Sequence, residues 1–369
     1  MQILVAPDKF KGSLGAAAVA EAIAAGLLEV LPAAEVVRLP VADGGEGTAE
    51  VICAAAGGRW HSCAAQAANG LGVSVRFVLI DGGEVAVVEA SEANGLWRIP
   101  EDERDPVSAT SFGVGEMMLA VAKQGARRAI IGLGGSATND GGFGMARALG
   151  YRFLYRDGRE LSGPVSDLLQ LAAIKKPRDR ILPSIVVAAD VRAPLLGERG
   201  ATRVFGTQKG ATAEQLDLLE AALTKFADIV ASEFGQDFRD VAGAGAAGGL
   251  GFGLLNFARA EMRAGFEVVS ELVGLEEAIR AADVVVTGEG RMDAQTLEGK
   301  APAGVAQLAR KFGKRCYAVV GQLEEAPGVR ELFDGIVTLP PGLTNSEQAV
   351  RAAAQEFALQ IRRESEPPA

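Results

Sequence analysis

Short apolar runs alternate with amphipathic stretches along the chain, and that alternation predicts its elements. QILVAP at 2–7 is a short apolar strand. Ser13 is placed to cap a helix whose Leu14, Ala17, Ala18, Ala20, Ile23, Ala24 and Leu27 keep one apolar face. EVVRLPVAD is the next strand, and GEGTAEVICAAAGG a second helix ending in glycine. The texture then changes. Asn69-Gly70 and Asp81-Gly82-Gly83 are hairpin signals between β-rich runs, and antiparallel ribbons do not continue a βαβ series. SATSFGVGEMMLAVAKQG, RRAIIGLGG, SIVVAADV and a long helix around 211–234 follow.

From about Ala282 the βαβ texture returns. DVVVTGEG is a strand and loop, PAGVAQLARKFG a helix and RCYAVVGQ a strand. EAPGVRELF is helical, GIVTLP a strand and SEQAVRAAAQEFALQIRRE a closing helix, with ESEPPA expected to fray. Two strands at the start and three at the end predict an α/β fold with a five-stranded doubly wound sheet, interrupted by an inserted domain. The boundaries are drawn at 1–60 and 280–369 for the discontinuous domain and 61–279 for the insertion.

Composition narrows the function classes. A formal charge of −10 over 369 residues argues against nucleic acid or an anionic membrane as the main partner. Forty-seven glycines, against the roughly 7% of average usage, predict many tight loops where backbone approaches a ligand. Cys53, Cys63 and Cys316 form no CxxC pair and read as buried thiols in a reducing compartment. The seven residues before the first charge are too few for a secretory h-region, and the uncharged run 241–258 carries six glycines and an Asn. It reads as a glycine-rich loop entering a helix, not a membrane span. A cytoplasmic protein without a membrane partner is expected, and assembly into a homo-oligomer is left open.

Several catalytic signatures are missing. Gly299-Lys300 has Ala294 where a P-loop needs its first glycine. The single histidine, His61, lies in a predicted ribbon, and no serine stands in GxSxG, so a Ser-His-Asp hydrolase is not expected. Gly132, Gly134 and Ala137 satisfy a loose dinucleotide pattern, but the window about twenty positions on reads YRFLYR and lacks the ribose-binding acid.

GLGGSATNDGG at 132–142 lies between an apolar run and a predicted helix. Gly134 and Gly135 would present backbone N–H groups to an anion, with hydrogen bonds from Ser136, Thr138 and Asn139. Asp140 suits a Mg²⁺-bound phosphate or a substrate hydroxyl; the structural alternative is a capped turn with Asn139 or Asp140 as N-cap. The same texture recurs at other strand ends. Asp8 stands with Lys9 and Lys11, Asp43 with Glu46, and Asp190 follows SIVVAA. Gln208 and Lys209 lie in FGTQKGA, GAGAAGGLG opens a helix, and Glu289, Arg291 and Asp293 precede Lys300. Strand C-termini are where open α/β sheets bind ligands, and this mixture suits phosphoryl transfer, with carboxylates for Mg²⁺ or a proton and cations for the transferring group.

These stretches resemble the bacterial glycerate kinases of the type that includes the glucarate and glyoxylate pathway enzymes. The resemblance rests on an ordered set spanning almost the whole chain: VAPDKFKGSL, PVADGGEGT, ANGL, RDPVSATSFGVGE, IIGLGGSATNDGG, AADV, PLLG, GATRVFGTQKGA, GAGAAGGLG and VVTGEGRMDAQTLEGKAPAGVA. It implies a flavodoxin-like domain split by an inserted α/β domain similar to the restriction-endonuclease fold. It also implies ATP- and Mg²⁺-dependent phosphorylation of D-glycerate at the 2-hydroxyl, in a cleft between the domains. On that reading Arg291 or Lys11 pairs with the glycerate carboxylate, and Asp43 or Asp190 accepts the hydroxyl proton. The remaining acids, Asp190 and Asp293 among them, hold Mg²⁺, and Lys209 neutralises triphosphate charge at the glycine loops. Lys9 stands where the family commonly has Ser, Ala193 where Asn is common and Thr207 where Pro is common. A lysine touching the acceptor would tighten its hold on a carboxylate or alter acceptor preference. The alternatives from other classes are an NAD(P)-dependent oxidoreductase on a small hydroxy acid and a non-catalytic sugar-acid sensor.

Overall fold

The computed structural model describes residues 1–178, 182–294, 296, 299–324, 326–340 and 346–365. The chain divides into two compact units, one of Met1–Asp43, Glu50–Ala56 and Phe266–Ala369, the other of Gly44–Ala49 and Gly57–Gly265.

The first unit is built on a five-stranded parallel sheet. Its spatial order is Gly335–Thr338, Arg315–Leu323, Val284–Met292, Gln2–Val5, Glu35–Arg38. Two strands thus come from the start of the chain and three from the end, as the apolar runs predict. Ile3 aligns with Val284 and Val5 with Val286, and nearly every residue of these central strands is buried, the texture expected of a sheet covered on both faces. Helices Ala16–Val30 and Glu347–Ser365 pack together over one face, where Val19, Ile23, Leu27, Val350, Phe357 and Ile361 close on Ile3, Val5, Val284 and Val286. Gly26 permits that approach, since an added Cβ would lie only 2.8 Å from Ala354 Cβ. Helices Leu275–Ala281 and Ala301–Lys311 pack on each other and on the sheet.

The second unit holds a mixed six-stranded sheet in the order Glu261–Arg263, Ser184–Ala188, Arg128–Gly132, Val85–Glu89, Gly72–Ile80, Arg59–Gln66. The first four are parallel and the last two antiparallel, paired through the turns at Asn69-Gly70 and Asp81–Gly83. A separate two-stranded ribbon joins Arg152–Leu154 to Ala173–Lys175. Helices Phe112–Lys123, Ala213–Phe234 and Ala246–Ala258 close an aromatic core of Phe143, Phe153, Phe226, Phe252 and Phe257. The long helix Ala213–Phe234 starts with a capping box, Thr212 accepting from the Gln215 amide, and stops at left-handed Gly235.

Local differences from the sequence reading have physical causes. The first helix begins at Ala16 with Gly15 as N-cap; the Ser13 hydroxyl instead donates to the Phe10 carbonyl at 2.9 Å, closing the turn after the first strand. Among the described residues of EAPGVRELF only a single 3₁₀ turn, Arg330–Leu332, forms, because Pro327 and left-handed Gly328 interrupt the helix. Residues 266–279, read as part of the insertion, sit in the first unit: helix Gly265–Val273 lays Phe266 against helix Ala301–Lys311, where only Gly304 leaves room for the ring. Cys316 is buried, whereas Cys53 and Cys63 are half-buried; all three are free thiols. His61 stacks on Phe77 within the antiparallel ribbon. The run 241–258 turns at left-handed Gly243 and enters helix Ala246–Ala258, and no helix among the described residues is long and apolar enough to cross a membrane. Within ESEPPA, 366–369 lie outside the described residues.

Candidate active site

In the first unit the chemistry gathers where the sheet reverses its winding. Counted in chain order the strands lie 2-1-3-4-5, so the switch point falls between Gln2–Val5 and Val284–Met292. The loops leaving these two strands carry Asp8 and the Glu289–Asp293 stretch. The Asp8 amide donates to the Gly288 carbonyl at 2.8 Å, and an added Cβ on Gly290 would stand 3.1 Å from Phe10 Cα, so the two loops lie backbone to backbone. Asp8 is buried and accepts one hydrogen bond from the Lys9 amide at 2.7 Å. Burial, with repulsion from Asp43 and Glu289 added, pushes its carboxyl up to about 7 against the pull of Lys9. Lys9 Nζ stands 4.0 Å from Asp43 Oδ1. The lysine that departs from the family pattern therefore faces a carboxylate of its own chain.

Glu289 is the second buried carboxyl. It accepts from the Thr296 hydroxyl at 2.7 Å, and that hydroxyl accepts from the Asp293 amide at 3.1 Å. Burial raises Glu289 to about 7 despite the Thr296 bond and Lys300. Asp293 sits between Lys300 Nζ at 3.5 Å and Arg291 Nε at 3.7 Å, while Arg291 also reaches Glu324 at 2.5 Å. Lys11 is exposed in the turn beyond Phe10. Four carboxylates, Asp8, Asp43, Glu289 and Asp293, are thus grouped with Lys9 and Lys300, and two of them hold their protons near neutrality.

A stability consequence follows from Asp8. Its ordinary value is 3.8 and its folded value about 7, so the folded chain binds the proton across that window and stability declines as pH rises from about 4 to 7. Asp8→Asn keeps an acceptor for the Lys9 amide and carries no charge. It is expected to be more stable than the parent above pH 7, by on the order of 2–4 kcal/mol. That advantage shrinks as pH falls toward 4. Urea midpoints at pH 5 and pH 8 measure it; a difference that does not change with pH would contradict the cause given.

In the second unit the loop 132–142 leaves strand Arg128–Gly132 and enters helix Phe143–Ala148. Ser136, Thr138, Asn139 and Asp140 are all buried. Asn94 donates to the Thr138 hydroxyl at 3.1 Å and Asn139 to the Thr202 hydroxyl at 2.9 Å. Asp140 takes four hydrogen bonds, from the Ser111 amide and hydroxyl and from the Gly142 and Gly144 amides. The helix N-cap is left-handed Gly142, and Asp140 satisfies the first amides from two residues earlier. Gly134 allows the backbone of Gly45 to approach, since an added Cβ would stand 2.6 Å from Gly45 Cα, and Gly135 is left-handed at φ 67°. Backbone of the 243–251 stretch seats directly on the loop: a Cβ on Gly248 would fall 1.9 Å from the Thr138 carbonyl oxygen.

Lys209, at the end of the 3₁₀ turn Thr207–Lys209, is 3% exposed. Its ammonium donates to the Thr138 carbonyl at 2.7 Å and to the Ser136 hydroxyl at 3.4 Å. Burial lowers it to about 7, with Asp140 opposing. Gln208 is exposed and its carbonyl accepts from Arg104 at 3.4 Å. Asp190 follows strand Ser184–Ala188 and accepts from the Gly265 amide at 2.8 Å. The side-chain carbonyl oxygens of Asn94 and Asn139 are buried without a hydrogen-bond partner, leaving two acceptors around the loop for a donor to satisfy.

Sequence reasoning missed Thr296, Ser111, Asn94 and Thr202. Ser111 stands 29 residues from Asp140 and Thr202 stands 63 from Asn139, so no local spacing connects them. Only Thr296, three residues beyond Asp293, lay within reach of a local pattern.

A sequence model of the glycerate kinase family matches residues 3–364. The chain is 42% identical over 360 residues to a glycerate kinase of Bacillus subtilis strain 168, covering 96% of this chain and 94% of that protein. It is 39% identical over 358 residues to the glycerate 2-kinase of Escherichia coli K12, covering 96% and 94%. A crystal structure of a candidate glycerate kinase 2 from Salmonella typhimurium LT2 superposes with a TM-score of 0.86 at 38% identity, covering 99% of each chain. The chain belongs to the glycerate kinase family.

Proposed function

We propose that the chain transfers the terminal phosphoryl group of ATP to the 2-hydroxyl of D-glycerate, giving 2-phosphoglycerate, with Mg²⁺ assisting. The observation that carries this reading is the grouping of four carboxylates with Lys9 and Lys300 at the switch point of a parallel sheet, in a chain of this family. The name of the Escherichia coli relative supports the 2-hydroxyl as acceptor. The strand order 2-1-3-4-5 supports reading the first unit as flavodoxin-like, and we extend that to the second unit as an inserted α/β domain similar to the restriction-endonuclease fold. A cytoplasmic setting goes with the substrates.

Asp43 or Asp190 orients the attacking hydroxyl and takes its proton, as a carboxylate does in other kinases. Arg291 or Lys11 holds the glycerate carboxylate. The loop with Gly134, Gly135 and Ser136 receives phosphate, with Lys209 as the cation behind it. No group of three or more His, Cys, Asp or Glu among the described residues is placed to hold a metal unaided. The carboxylates still fit Mg²⁺ in its usual kinase mode, where one or two protein carboxylates are completed by phosphate and water. Asp293 in the first unit and Asp190 in the second are each residues that would hold it, and when bound with nucleotide it neutralises charge on the transferring group.

The test is to couple the product to enolase and pyruvate kinase, with and without phosphoglycerate mutase. Signal without the mutase is expected. A signal that needs it would place the phosphate on the 3-hydroxyl, and glycerate binding without any turnover would remove the kinase reading.

A further inference from the structure

Arg147 lies in the last turn of the short helix Phe143–Ala148 with its guanidinium over two rings, 5.3 Å from Phe143 and 5.7 Å from Phe112. Among the described residues its guanidinium makes no hydrogen bond and no ion pair. The acids whose charge reaches it, Glu160 and Asp140, are already engaged, Glu160 with Arg152 at 2.9 Å and Asp140 with its four donors. A half-buried arginine braced by two aromatic faces has lost much of its rotamer freedom, and its fork of N–H groups lacks a planar acceptor.

Beside it lies a pocket of about 300 Å³, formed wholly within the second unit. Gln66, Ser108, Thr110 and Ser162 contribute polar groups to its wall, and Phe112 and Phe143 an apolar one. The size is at the lower end of small-molecule sites, and an apolar wall with few polar groups is their usual make-up. The pocket meets the loop 132–142 only at Asp140, whose oxygens are occupied, so the one cation with unused donors at this wall is Arg147.

We propose that this pocket is a binding site for a small oxyanion, a phosphate or carboxylate on a short polar carbon skeleton, gripped by the Arg147 guanidinium and oriented by the hydroxyls of Ser108, Thr110 and Ser162. It touches the strand-end groups assigned to phosphoryl transfer only at Asp140 and does not depend on that assignment.

The full-length protein is titrated calorimetrically at constant ionic strength with inorganic phosphate and, in a second arm, with malonate; crystals soaked in each are inspected for density on Arg147. Density on the guanidinium is expected, with affinity reduced tenfold or more in Arg147→Met and less in Arg147→Lys. The arm that binds identifies phosphate or carboxylate. Methionine keeps the packing on the two rings, and the urea midpoint of each variant checks the fold; should Arg147→Met not fold, Arg147→Lys with Ser162→Ala carries the same comparison. Equal affinity in parent and variants overturns the site. So does binding at crystal concentration only, or density confined to other parts of the protein.

Discussion

Asp43→Asn, assayed with ATP, Mg²⁺ and D-glycerate, is expected to lose roughly 10²–10⁴-fold in kcat with little change in nucleotide affinity. The amide preserves the size of the side chain and removes only its ability to take a proton, so a loss confined to kcat identifies transition-state chemistry. Asp190→Asn run beside it decides between the two candidates, and near-normal turnover in both would remove both from the role of base. The environment of Asp43 adds a second readout. Asp43 is the largest like-charge contribution to the raised carboxyl of Asp8. Removing its charge lowers the Asp8 value, so the fall in stability with rising pH should end at a lower pH in Asp43→Asn than in the parent. An unmoved window in urea midpoints across pH 4–8 would mean that Asp43 is not what raises Asp8.

Asp140→Ala is the variant expected to damage the fold most. The substitution removes the acceptor of four hydrogen bonds inside a buried loop and leaves the Ser111, Gly142 and Gly144 amides without partners. It also removes an anion whose charge supports the ammonium of Lys209. Deleting one member of a buried charged set costs about 3–5 kcal/mol, and unsatisfied buried amides act in the same direction. Asp140→Asn should fall between, since it keeps one acceptor and turns a donor toward donors. Urea unfolding followed by circular dichroism measures both. A loss below about 1 kcal/mol in the alanine variant would show that the buried carboxylate is not what holds the loop.

The periodic parts of the chain were legible. The parallel strands of the first unit announce themselves as apolar runs, and the hairpins announce themselves through Asn69-Gly70 and Asp81–Gly83, because burial on two faces and tight turns each constrain residue type locally. The glycine loop at 132–142 was legible as an unusual stretch, but not in its internal wiring. Its polar run read in sequence as turned toward a ligand or as a capped turn, yet Thr138, Asn139 and Asp140 spend hydrogen bonds on Asn94, Thr202 and Ser111, partners 29–63 residues away. The raised carboxyls were invisible for the same reason: Asp8 owes its state to burial and to Asp43 and Glu289, 35 and 281 positions along. Charge type can be read from a sequence, whereas desolvation is a property of the packed molecule.

The pairing of Gln2–Val5 with Val284–Met292 also bears on how the protein comes to be made. A ribosome adds roughly 5–20 residues per second, so Ile3 waits on the order of tens of seconds before Val284 exists to pair with it. All six strands of the other sheet emerge in that interval, between Arg59 and Arg263. The second unit can therefore fold during synthesis, while the apolar QILV segment that preceded it has only Glu35–Arg38 to pair with and keeps its other edge open. For that time the nascent chain presents a ready substrate to chaperones, and the first unit is completed only when the last three strands arrive.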